Sequence, residues 1–180
     1  MLRTPDYHSV PAAEIRILLL GPGERFPQEH AKRRAIRQAL IDKGFAGARL
    51  GEEVINPDTQ LPLHMELARL VLRGDFDLIL VLDAGPAPLV ELTTLSTTRS
   101  ALGITEVWWK REFRSEGRST PAEVVAVFHN HPYSADEFNV CDLTAEFIQA
   151  AWRLRYHRAM ALSEQQGTSS GELEGHDVEP

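Results

Sequence analysis

Residues 78–82 read Leu-Ile-Leu-Val-Leu, flanked by Asp77 and Asp83 and followed at once by Ala84-Gly85-Pro86. A strand with one wet face alternates apolar and polar side chains. A short unbroken aliphatic run between breakers instead suits a strand buried on both faces. Such a strand needs a covering layer on each side of its sheet, so this segment constrains the architecture more than any other.

The rest of the chain supplies those layers. Ile15-Arg16-Ile17-Leu18-Leu19-Leu20, ended by Gly21-Pro22-Gly23, predicts a second buried strand. From about Gln28 to Lys43 the spacing of Ala31, Ile36, Ala39 and Leu40 is helical, and Gly44 stands where a helix C-terminal glycine belongs. Ala48–Leu50 predicts a short strand and Leu61–Leu72 a helix. Pro88 suits the first turn of a helix carrying Leu89, Val90, Glu91, Leu92 and Leu95. Glu123–Phe128 is read as a further strand and Leu143 to about Ala161 as the last long helix. Strands alternating with helices predict a three-layer α/β domain on a parallel sheet of about four or five strands. The domain spans 14–162. Residues 1–13 read as a flexible arm and 163–180 as an acidic, Gly- and Ser-rich disordered tail.

Bulk properties narrow the function. The 180 residues suffice for one ordinary domain, and no stretch reaches the roughly 20 apolar residues of a membrane span. The N-terminus lacks a basic-then-apolar leader, and Cys141 is the only cysteine, which together predict a cytoplasmic protein without an internal disulfide. A formal net charge of −7 with no basic stripe argues against a nucleic-acid partner. The basic cluster Lys32-Arg33-Arg34 with Arg37 is read as a solvated helix face, the alternative being a local site for phosphate or an acidic partner.

In open parallel sheets ligands bind at the carboxyl ends of the strands, near the point where strand order reverses. Two loops are therefore of interest: Gly21-Pro22-Gly23-Glu24 and Asp83-Ala84-Gly85-Pro86. Glu91 falls in about the first turn of the helix after the second loop, between apolar neighbours. A carboxylate there can overhang the sheet edge, where desolvation raises its pKa and the helix N-terminus favours its charged form. N-glycosidic cleavage needs such a group, because positive charge develops on the sugar carbon. Gly21 and Gly23 would let the backbone approach a ribose or phosphate. Spacing fits equally a plain N-terminal helix acid.

The segments RILLLGPGE…HAKRRAIRQALIDKGF and LARLVLRGDFDLILVLDAGPAPLVELTTL resemble the superfamily of TIR-like domains and nucleoside 2-deoxyribosyltransferases, over about residues 14–100. The resemblance implies a flavodoxin-like fold with Glu91 as the catalytic glutamate. It places Gly21 and Pro22 in the first substrate loop, with Gly23 and Gly85 in the two loops, and Asp83 at a polar position beside the site. TIR-like enzymes cleave the nicotinamide–ribose bond of NAD, many in bacterial antiviral defence. The resemblance thus implies NAD as substrate, no separate cofactor, and a homo-oligomer or effector partner. The transferases exchange bases on deoxynucleosides. The TIR-like reading is preferred because nothing near the C-terminus looks like the transferases' trans-acting asparagine segment.

A competing pattern is His129-Asn130-His131-Pro132, continued by Asn139 and Asp142. It resembles the zinc motif of JAMM-type metalloproteases and the RadC family, with His129, His131 and Asp142 as ligands and water in the fourth position. Asn139 stands where that motif has serine, and the segment before His129 has room for a strand but not for the preceding helix as well. The alternative places both histidines in a loop beside the same crevice. Trp108-Trp109 reads either as a stacking or self-association surface, or as one core and one boundary residue. Three functions are therefore weighed: an NAD-cleaving enzyme using Glu91, a zinc hydrolase using the histidines, and a non-catalytic nucleotide-sensing module.

Overall fold

The computed structural model describes residues 14–56, 58–83, 89–112, 122–139 and 141–171. One five-stranded sheet organises them: β1 (Ile17–Leu20), β2 (Ala48–Leu50), β3 (Leu78–Asp83), β4 (Thr105–Lys110) and β5 (His129–Tyr133), in the order β2-β1-β3-β4-β5. Every pairing is parallel. This is a three-layer, flavodoxin-like α/β fold with β1 and β3 at the switch point.

The aliphatic runs are buried on both sides, and strand parity sorts them. Ile17, Leu19, Leu78, Leu80 and Leu82 pack with Ile36 and Leu40 of α1 (Pro27–Asp42) and with Phe147, Ala150 and Ala151 of α8 (Cys141–Gly171). Leu18, Leu20, Ile79 and Val81 face the opposite layer. There they meet Leu67 and Val71 of α3 (Leu63–Leu72), Leu92 and Leu95 of α4 (Leu89–Ser96) and Ala101 of α5 (Arg99–Leu102). Between them, α2 (Gly51–Val54) follows β2 directly. Gly44 ends α1 with φ +85°, the left-handed conformation that stops a helix with least strain.

Three expectations are corrected. Residues 123–128 form no strand: they hold the short helix α6 (Ala122–Val125) and a turn that puts Val125 and Phe128, three apart, into the α3/α4 layer. The fifth strand is instead His129-Asn130-His131-Pro132-Tyr133, followed by α7 (Ala135–Asn139). Proline cannot donate to a ladder and polar residues suit one wet side, and β5 is an edge strand where both are tolerated. Thirdly, α8 continues to Gly171, past the expected boundary at 162. Once its first half is packed, each further residue extends an existing helix without a new nucleation cost. The arm 1–13 and residues 172–180 lie outside the described residues.

β4 carries no recognisable pattern in sequence. Its two tryptophans point to opposite faces. Trp108, 1% exposed, stacks on Phe147 at 4.0 Å between centroids, while the half-buried Trp109 packs against the α3/α4 layer. Trp108 is therefore a core residue and offers no stacking or association surface.

Candidate active site

A cavity of about 300 Å³ opens at the carboxyl ends of β1 and β2, at the small end of the roughly 300–1,000 Å³ typical of ligand sites. Its wall includes Gly21 and Gly23 after β1, His30 and Arg33 of α1, Glu52 of α2, Leu67 of α3 and Glu91 of α4. Elements on both sides of the switch point thus meet around one space.

Gly21 is required by its backbone. Its φ is +150°, and a Cβ there would stand 2.8 Å from the Leu82 carbonyl oxygen. Only a residue without a side chain lets the β1 loop lie this close to β3. Gly23 differs, since a Cβ would meet nothing within 4 Å. At that position the glycine keeps part of the cavity wall open.

Glu91 borders this space together with Glu24 and Glu52. Burial pushes the Glu91 carboxyl above the ordinary range, offset in part by its own backbone N–H and by the neighbouring His64 and the Arg33 guanidinium. Its Oε2 is buried without a hydrogen-bond partner among the described residues. A desolvated, unsatisfied carboxylate is costly to the fold, and such groups concentrate where chemistry needs them.

Arg33, expected on a solvated helix face, is turned inward. It is 3% exposed, on the same stripe of α1 as Ile36 and Leu40. Its Nη2 donates to Glu52 Oε1 at 2.6 Å and its Nη1 to the Gly21 carbonyl at 3.2 Å, while Nε has no partner among the described residues. Burial lowers the guanidinium below its ordinary pKa, with Glu52 opposing. The i, i+3, i+7 spacing of Arg33, Ile36 and Leu40 was the available signal. Glu52 and His30 carried none, because only the β2–β1 pairing brings α2 against α1. His30 Nε2 lies 3.2 Å from the same Glu52 Oε1.

The other expected site residues fall elsewhere. Pro22 is buried and Asp83 fully so, in register with Trp109, and neither lines the cavity. Gly85 lies outside the described residues, as does the side chain of Asp142. His129 opens the edge strand β5 and His131 sits mid-strand, so neither borders the Glu91 cavity. His131 is occupied structurally: Nε2 is 2.9 Å from Glu106 Oε2 and the ring stacks 4.4 Å from Trp108. Arg153 donates to the same Glu106 oxygen at 2.8 Å. Among the described residues no group of three or more His, Cys, Asp or Glu side chains could hold a metal ion. No described helix is long and apolar enough to cross a membrane. No protein-family model matches this chain, and no curated protein matches it.

Proposed function

We propose that this protein cleaves the N-glycosidic bond of a nucleotide, with NAD as substrate and Glu91 as the catalytic carboxylate. One observation carries the reading: Glu91 borders a cavity at the sheet's switch point, beside the close-packed Gly21 loop, with a buried oxygen that has no partner among the described residues. As the C1′–N bond lengthens, its electron pair moves to the nicotinamide ring nitrogen and positive charge collects on the ribose. A carboxylate already stripped of water stabilises that charge far better than a solvated one, either electrostatically or by bonding to C1′. Glu24, Glu52 and Glu91 around the same cavity also suit a cationic pyridinium ring. No separate cofactor is required.

The TIR-like resemblance supplies the setting of this proposal, a cytoplasmic enzyme of bacterial antiviral defence acting with a second copy or an effector. The cavity's modest volume favours one second reading, base exchange on a deoxynucleoside, because a nucleoside fills such a space alone. Incubation with NAD and with a nucleoside panel, read by mass spectrometry for wild type and Glu91→Gln, tests both. NAD consumption lost in the variant supports the proposal. Base exchange on deoxynucleosides without NAD loss selects the second reading, and turnover that survives in Glu91→Gln refutes both.

A further inference from the structure

Glu91 shares its cavity with a second carboxylate system. We propose that His30 and Glu52 form a dyad that accepts the proton of the water completing N-glycosidic cleavage, a role that rests on the reading above. Three observations place it there. His30, Glu52 and Glu91 line one space. Glu52 Oε1 lies within hydrogen-bond distance of both His30 Nε2, at 3.2 Å, and the buried Arg33 Nη2, at 2.6 Å. His30 Nδ1 makes no hydrogen bond among the described residues, and the His30 side chain is 14% exposed.

Charge assigns the tautomer. Burial works to raise the Glu52 carboxyl, but its own backbone N–H, Arg33 and His30 outweigh it and hold the group below the ordinary carboxylate range. An ionised carboxylate can only accept, so His30 Nε2 carries the hydrogen, which leaves Nδ1 as the ring nitrogen that can take a proton. When Nδ1 takes a proton, the imidazolium is stabilised by Glu52, which Arg33 holds in place. Glu91 must stay charged toward the sugar and is poorly suited to take that proton itself.

The step balances without a further reactant. Water oxygen bonds to C1′, the C1′–N electron pair leaves with nicotinamide as a neutral ring, and the water proton passes to His30 Nδ1 and then to solvent. NAD⁺ and water give ADP-ribose, nicotinamide and one proton.

Base exchange isolates the water step, because a pyridine base attacks without losing a proton. The full chain is assayed with NAD alone and with NAD plus 3-acetylpyridine, as wild type, His30→Gln and Glu91→Gln. Glutamine keeps an N–H for Glu52 but has no basic nitrogen. The expected result is a loss of roughly 100-fold in hydrolysis for His30→Gln with base exchange retained. Hydrolysis at the wild-type rate, or loss of both reactions in step, overturns the dyad. Glu91→Gln losing both reactions, with wild type active, upholds the underlying reading. A wild type inert toward NAD and nucleosides removes that reading and the dyad's role with it. An independent measurement needs no variant: the imidazole ¹⁵N–¹H spectrum of wild type is expected to show the Nε2–H tautomer for His30, and the Nδ1–H tautomer overturns the proposal whatever the activity.

Discussion

The two ends of β3 treat a carboxylate in opposite ways. At the amino end, Asp77 is nearly buried and fully engaged. Arg16 donates from its backbone N–H and Nε to Oδ2 at 2.8 and 3.1 Å and from Nη2 to Oδ1 at 2.9 Å, and Arg158 Nη2 donates to Oδ1 at 2.6 Å. Burial alone would raise this carboxyl, but the two arginines and the backbone N–H hold it at about 2. Beyond the carboxyl end, the Glu91 carboxyl is raised above its ordinary value and one oxygen has no partner among the described residues. Asp77 fastens β1, β3 and α8 together. Glu91 instead carries a burial cost that no hydrogen-bond partner of its Oε2 among the described residues offsets.

The sharpest way to break this contrast is to neutralise Glu91. Glu91→Gln is expected to lose roughly 10²–10³-fold in turnover, and at pH 7 to melt at the same temperature as wild type or higher. The sign follows from the raised pKa. Wild-type stability is favoured below the unfolded carboxyl pKa and lost as pH rises through the folded one, so the variant's advantage should grow from pH 4 to pH 7. A variant that melts lower at pH 7 would make Glu91 a structural acid. Gly21→Ala comes next. A Cβ 2.8 Å from the Leu82 carbonyl forces β1 and β3 apart at the site, for about 3 kcal/mol by denaturant unfolding. Loss of under about 0.5 kcal/mol would show that the loop is not tightly held.

At the other end, Asp77→Asn should remove about 2 kcal/mol at pH 7, the worth of lowering a carboxyl from 3.8 to about 2. Here the stabilisation is complete above about pH 4 and disappears as pH falls toward 2, so the variant and wild-type curves should converge in acid. Parallel curves would mean that Asp77 contributes by packing alone. The smallest effect on folding is expected for Gly23→Ala, within about 0.5 kcal/mol of wild type, because its Cβ meets open space. That methyl narrows the cavity wall, so KM should rise while stability stays level.

Legibility of the fold tracked the strength of local pattern. β1 and β3 are aliphatic runs between breakers, and α1 and α3 repeat at helical spacing with glycines at their ends, so each could be located from neighbouring residues alone. β4 and β5 could not, since Thr105-Glu106-Val107-Trp108-Trp109-Lys110 and His129-Asn130-His131-Pro132-Tyr133 become strands only by pairing with β3 and with each other. The HNHP spacing carries no information about the strand, in which His131 is engaged by Glu106 and stacked on Trp108. In the site, Glu91, Gly21 and Gly23 were legible from their loops, whereas Pro22 and Asp83 were displaced into the packed interior. Arg33 sits in a run of charges, and only its place on the Ile36–Leu40 stripe of α1 marks it as buried.

Sequence alone determined that this chain builds a doubly covered parallel sheet with an acidic side chain after its most apolar strand, because burial on both faces leaves a continuous aliphatic record. Only the tertiary structure decided which polar groups share a cavity. Arg33, Glu52 and His30 lie on two helices whose approach is set by the β1–β2 register, and a contact made across a sheet edge leaves no periodicity in the chain.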